Sequence, residues 1–157
     1  MAILDGVMDP EVPVLSVRDL GIIREVDVSD AGEVTVTVTP TYSGCPAIAV
    51  IEHDILEALH AGGFPEATVR TAYAPAWTTD WIAPAARAKL KAYGIAPPSP
   101  SRDSGSLVQL MRSRPAVECP YCSSHDTEVR SEFGSTACKA VCWCRACGQP
   151  FEEFKAI

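Results

Sequence analysis

The sequence predicts an α+β protein in two parts: a small mixed sheet packed with helices, then a small all-β module built round four cysteines. Three observations carry this prediction. Runs of valine and isoleucine at period two alternate with helical stripes between residues 22 and 93, a stretch rich in Pro, Ser and Gly begins at residue 96, and two Cys-x-x-Cys pairs lie beyond it. With 157 residues, 47% of them hydrophobic and 21% charged, the composition is that of a globular chain.

The elements follow in order. Residues 3–8 precede the turn-forming Asp9-Pro10-Glu11-Val12-Pro13 and have room for a helix remnant of one or two turns at most. Ile22, Arg24, Val26 and Val28, then Val34, Val36 and Val38, keep period-two spacing across the turn sequence Ser29-Asp30-Ala31-Gly32, which predicts a β-hairpin. Thr35, Thr37 and Thr39 take the other face of its second strand, as a partly covered sheet requires. Ile48, Ile51, Ile55 and Leu59 then share one helical face, and Gly62-Gly63 stops the helix. Alternation over residues 67–74 predicts a third strand. A second helix is expected from about Asp80 to Tyr93, with Thr78, Thr79 or Asp80 as N-cap, Pro84 in the first turn and Gly94 just past its end. The first domain thus covers residues 1–95, a flexible linker residues 96–116, and the cysteine module residues 117–157.

The charge balance is −7, and residues 1–100 carry all of it, with 13 acids against 6 bases, whereas residues 112–157 hold 6 of each. Neither part concentrates the basic surface that phosphates need, so nucleic acid and acidic membranes are disfavoured as partners. No apolar run approaches the roughly 18 residues of a spanning helix, and the N-terminus lacks the basic and apolar regions of a secretory signal. The expectation is a cytoplasmic protein, in which thiols serve metals or reactivity rather than structural disulfides.

Cys119-Pro-Tyr-Cys122 and Cys144-Arg-Ala-Cys147 place four thiolates in two knuckles, each turning its sulfurs toward one tetrahedral centre. With β-compatible segments at residues 127–131, 140–143 and 151–154, the module reads as a zinc ribbon. Structural Zn²⁺ is worth about 10–16 kcal/mol in such modules, more than a core of this size supplies. A cysteine-ligated iron or iron-sulfur centre and a disulfide cluster are the competing readings. Cys138 and Cys142 are additional candidate ligands or buried small hydrophobes, and His125 reads as an exposed loop residue.

Cys45 stands apart from the module, between Gly44 and a Pro46 that suits the first helical position, just ahead of the first helical stripe. A thiol at a helix N-terminus is expected to have a lowered pKa, which suits a soft-metal ligand or nucleophile; an inert capped thiol is the alternative. His53 falls on another side of the helix, so a Cys-His pair is not expected. Asp9 and Glu11 read first as turn and cap residues, and Trp77 and Trp81 as a packing cluster. Phosphate loops, di-iron or zincin patterns and a Ser-His-Asp set are absent from the sequence, which argues against independent catalytic activity.

Asp9-Pro10-Glu11-Val12-Pro13, Asp19-Leu20-Gly21 and a hairpin leading into Thr39-Pro40-Thr41-Tyr42-Ser43-Gly44-Cys45-Pro46 resemble the MIP18, or domain of unknown function 59, family of iron-sulfur assembly factors. Residues 75–81 (Pro-Ala-Trp-Thr-Thr-Asp-Trp), 93–98 (Tyr-Gly-Ile-Ala-Pro-Pro) and 133–140 (Phe-Gly-Ser-Thr-Ala-Cys-Lys-Ala), with Pro150-Phe151 and Phe154-Lys155, narrow the likeness to the family of D subunits of bacterial phenylacetyl-CoA epoxidase systems. Family members carry a longer segment before Asp-Pro-Glu than the eight residues here, and Cys142 stands where a non-cysteine residue is expected.

The resemblance implies an accessory factor for iron-sulfur cluster assembly or repair, in which Cys45, Asp9 and Glu11 handle iron or a cluster in transit and the ribbon serves folding and docking. It implies, as clients, the iron-sulfur reductase subunit and the di-iron oxygenase subunit of the epoxidase, with a homodimer as the arrangement that would share a cluster. Two other classes remain beside it: a stable electron-transfer or structural subunit of the oxygenase, marked by stoichiometric iron, and a nucleic-acid-binding zinc ribbon, marked by salt-dependent DNA affinity.

Overall fold

A computed structural model describes residues 2–99 and 116–156. Backbone contacts divide the chain into two compact units, residues 1–89 and residues 90–157.

The first unit is a three-stranded mixed sheet with helices, the α+β class expected. Strands β1 (Ile23–Val28) and β2 (Val34–Val38) form an antiparallel hairpin with an irregularity between Ile23 and Glu25, closed by Ser29 N–H on the Glu33 carbonyl at 2.9 Å. Helix α1 (Ile48–Ala61) crosses over to β3 (Thr68–Thr71), which pairs parallel with β2, giving the order β1-β2-β3. A parallel pair needs such a crossover, and the stripe of Ile51, Ile55 and Leu59, all buried, turns the helix inward. Val34, Val36 and Val38 are buried as the alternation requires. Thr37 and Thr39 are buried too, so β2 is covered on both faces at its end, as befits the central strand; Val28, at the end of an edge strand, is exposed.

Ahead of the sheet, residues 7–17 fold back on themselves. Asp9 N–H donates to the Leu15 carbonyl at 2.9 Å and Val17 N–H to that of Val7 at 3.0 Å, with Leu4–Gly6 forming a 3₁₀ turn. Ser16 and Asp19 cap each other: Ser16 N–H donates to Asp19 Oδ2 at 3.1 Å and Asp19 N–H to Ser16 Oγ at 3.0 Å. Gly21 then adopts a φ of +68°, and a Cβ there would lie 2.6 Å from the backbone oxygen of Trp81. Only glycine permits both the left-handed turn and this approach. Trp77, buried, donates its indole N–H to the Leu20 carbonyl at 2.9 Å, and Arg24 stacks over the Trp81 ring at 3.4 Å. The two tryptophans are therefore a packing cluster that fastens residues 77–81 to residues 20–24.

The second helix is shorter than expected. Residues Thr79–Trp81 form a 3₁₀ turn capped by Thr78, and α2 runs from Pro84 to Tyr93, because proline suits a first helical turn and not an interior.

The second unit is a four-stranded sheet in the order β4-β7-β6-β5, from β4 (Ile95–Ala96), β5 (Thr127–Ser131), β6 (Lys139–Cys144) and β7 (Pro150–Phe154). β5, β6 and β7 are antiparallel neighbours, while β4 pairs parallel with β7. Ala96, the residue with which the expected linker opens, is a fully buried strand residue here. Residues 100–115 of that linker lie outside the described residues. Among the described residues no helix is long and apolar enough to cross a membrane.

Candidate functional site

Two clusters bring together the residues that the sequence singles out. In the first unit, the fold-back of residues 7–17 directs the Asp9 side chain into the protein, where Oδ1 accepts from the N–H groups of Glu11 at 2.9 Å and Val12 at 2.7 Å. Asp9 is buried, so its carboxylate holds the turn that carries Glu11. The turn role read from sequence is correct for Asp9, and it places Glu11 beside Cys45.

Cys45 is half-buried. Its N–H donates to the Tyr42 carbonyl at 3.1 Å, so it sits in a turn, and α1 begins three residues later at Ile48. Pro46 is not the first helical residue. The thiol consequently behaves opposite to the expectation for a helix terminus. Burial pushes its pKa up, and the Glu11 and Asp9 carboxylates push the same way; the Ala47 N–H and the Thr41 hydroxyl pull it down but are outweighed. Cys45, Asp9, Glu11 and Thr41 thus form one electrostatically connected cluster. Thr41, buried here, is the member that sequence reading leaves without a role, although a hydroxyl four residues before a cysteine in a turn-rich loop is a usable signal.

Such a cluster can do two things chemically. At rest it keeps the thiol protonated, since a thiolate beside two carboxylates is disfavoured. For a metal cation the sign reverses: the same carboxylates attract it, and its charge offsets the cost of ionising the sulfur.

His53 does not join this cluster. It lies on the exposed side of α1 with Nε2 3.6 Å from Glu57 Oε1, their side chains 68% and 72% exposed. With Asp54 these residues form another group of potential ligands, solvated and without a thiol.

In the second unit, the sulfur atoms of Cys119, Cys122, Cys144 and Cys147 all lie within 4.8 Å of one another. Cys119 Sγ is 3.8 Å from Cys147 Sγ, and Cys122 Sγ is 3.6 Å from Cys144 Sγ. A tetrahedron with metal-sulfur bonds of about 2.3 Å has edges of about 3.8 Å, so the donor type and the spacing both fit Zn²⁺. None of the seven cysteines is joined in a disulfide. Cys119 and Cys144 are buried against Ala96, Val117, Cys142 and Phe151, while Cys122 and Cys147 are exposed. The N–H of Cys147 does most to hold the Cys144 thiol down to about 7. Cys142 is part of the apolar cluster, with Sγ 4.0 Å from Glu153 Oε2, and Cys138 Sγ lies 3.0 Å from Thr136 Oγ1; neither falls in the group of four. His125 is exposed, as the sequence suggests.

Comparison with known proteins agrees with this division. Residues 1–74 match a family model described as iron-sulfur cluster assembly protein, and residues 103–155 one described as PaaD zinc beta ribbon domain. The chain is 46% identical over 156 residues to a protein of Escherichia coli K12 named provisionally as the D subunit of 1,2-phenylacetyl-CoA epoxidase, covering 99% of this chain and 90% of that one. It is 38% identical over 88 residues to the Fe-S protein maturation auxiliary factor of Porphyromonas gingivalis W83, covering 55% of this chain and 83% of the relative. Among solved structures, a domain of unknown function DUF59 from Bacillus anthracis superposes with a TM-score of 0.53 at 26% identity, over 57% of this chain and 85% of that one.

Proposed function

Since the chain belongs to the family of phenylacetyl-CoA epoxidase D subunits, made of an iron-sulfur assembly domain and a zinc ribbon, we propose that it is an accessory factor which delivers iron or an iron-sulfur cluster to a protein of that oxygenase system. The supporting observation is the cluster at Cys45: a half-buried thiol under the influence of two carboxylates brought from residues 9 and 11 and of a threonine hydroxyl.

The cargo is bound in transit. The Cys45 thiol gives up its proton as the cation arrives, Glu11 and Asp9 draw the positive charge in, and Thr41 keeps the sulfur oriented. Departure of the cargo to client cysteines restores the protonated thiol, which suits a carrier better than a permanent ligand. The [2Fe-2S] reductase subunit is the preferred client and the di-iron subunit the second. Cys119, Cys122, Cys144 and Cys147 would hold Zn²⁺, which when bound cross-links the two knuckles; the ribbon's own residues then present the sheet as a docking module. The protein would act in the cytoplasm, as a homodimer where a cluster is shared, and without catalytic turnover of its own.

The test is Cys45→Ser in a strain whose epoxidase depends on this chain. Zinc content and the folded state should be those of the wild type, while the iron-sulfur content of the reductase and the epoxidase activity should be lost. Wild-type cluster content in the client would overturn the reading.

A further inference from the structure

The matched ribbon begins at residue 103, yet the unit that contains the four cysteines begins at Leu90. Three residues in between act on the first knuckle, residues 119–122. Lys91, in the last turn of α2, donates from Nζ to Glu118 Oε1 at 2.7 Å and to Ser123 Oγ at 3.3 Å. Glu118 immediately precedes Cys119 and Ser123 immediately follows Cys122, so one ammonium group ties both ends of the knuckle. Gly94, with φ at +92°, offers its bare Cα to the knuckle's own Tyr121: a Cβ there would lie 2.8 Å from the phenolic oxygen and 3.3 Å from two ring carbons. Ala96, fully buried, packs in the apolar cluster with Cys119, Cys142 and Cys144 while its strand pairs with β7.

From this geometry, and resting on the reading of the four thiolates as zinc ligands, we infer that the end of α2 and strand β4 are a clamp that positions the first knuckle for its metal. The metal module is assembled from two separated stretches of sequence, and Lys91 and Gly94 are positioning residues. The physical need is plain at Cys122. It is exposed, so core packing does not fix it, and its place is set by how the loop's two ends are held. Four thiolates round one Zn²⁺ also leave an excess of negative charge, which a fixed ammonium nearby favours.

The experiment is zinc release from the full chain to a chromogenic chelator, after zinc content has been measured. Lys91→Met should release the metal about two- to fivefold faster, the range for a partly exposed ion pair, and Lys91→Arg should restore most of the wild-type rate. Gly94→Ala, which adds a Cβ at positive φ and against Tyr121, should release it about tenfold faster. Gly94→Ala combined with Tyr121→Ala should recover part of that loss, because the steric conflict goes while the backbone strain stays. Arg18→Met, which breaks the surface pair of Arg18 with Asp5 in the first unit, should leave the rate unchanged. Should Gly94→Ala fail to fold, Lys91→Met decides alone. Release at the wild-type rate from a zinc-loaded Lys91→Met chain overturns the clamp and leaves the zinc reading standing. A wild-type chain that holds no zinc and takes up none overturns the zinc reading, and the clamp with it.

Discussion

Replacing Asp9 separates its two roles, because alanine removes the carboxylate altogether whereas asparagine keeps an acceptor oxygen and loses only the charge. The Asp9 carboxylate is buried and takes two backbone donors, Glu11 N–H at 2.9 Å and Val12 N–H at 2.7 Å. Each hydrogen bond to a charged group contributes about 1.5 kcal/mol, and alanine leaves both donors unsatisfied, so Asp9→Ala should cost about 3 kcal/mol. Asparagine still accepts from one or both and should cost about 1 kcal/mol. In a unit of this size about 1 kcal/mol moves the midpoint by about 5 °C, which puts Asp9→Ala about 15 °C below wild type and Asp9→Asn about 5 °C below. The assay is thermal unfolding followed through Trp77, which is buried in the same unit. An alanine variant that melts within about 3 °C of wild type, equivalent to about 0.6 kcal/mol, would refute the claim that this carboxylate builds the turn, and with it the account of how Glu11 reaches Cys45.

Glu11→Gln removes a charge that raises the Cys45 thiol, so alkylation of Cys45 by iodoacetamide at fixed neutral pH should quicken and its pH profile move to lower pH; an unchanged profile would place Glu11 outside the cluster. Cys119→Ser should abolish zinc binding and unfold the sheet of residues 90–157, since a structural site contributes about 10–16 kcal/mol; unaltered zinc content and melting would sink the ribbon reading. Asp19 is held below its ordinary 3.8: burial raises it, but hydrogen bonds from Lys89 and Ser16 prevail. A depressed carboxyl stabilises the fold above the unfolded value and loses that contribution as pH falls through the folded one. Asp19→Asn should therefore cost about 0.5–1 kcal/mol at pH 7, and the gap to wild type should close as the pH is taken below 3.8.

What can be read from the sequence is what repeats at a fixed period or spacing. The stripe Ile51-Ile55-Leu59 announces α1 because a helix surface recurs every 3.6 residues, and the paired Cys-x-x-Cys motifs announce a four-sulfur centre because a knuckle has one geometry. Strand β4 is not legible: two residues between a helix and a pair of prolines carry no periodicity, and their pairing with β7 is set by partners more than 50 residues away. The behaviour of Cys45 is misread for a similar reason. Its nearness to Pro46 suggests the field of a helix terminus, but the helix begins later, and what raises the thiol is burial first, then the carboxylates of residues 11 and 9. Long-range electrostatics leave no local mark on a sequence.

The pairing of β4 with β7 also sets an order in time. Ile95 meets Glu152 and Ala96 meets Glu153, so the earliest strand of that sheet waits for the last of the seven strands among the described residues. During synthesis, Ala96 and the buried face of β6 emerge before their cover exists, and Cys119 and Cys122 are presented before Cys144 and Cys147 can complete their set. Loop closure of this length is slow relative to hairpin formation, which lets β5, β6 and β7 pair first and β4 add afterwards. A chain halted between Cys122 and Cys144 would hold one knuckle's two thiols and an open sheet, a species for which chaperones and adventitious metals compete.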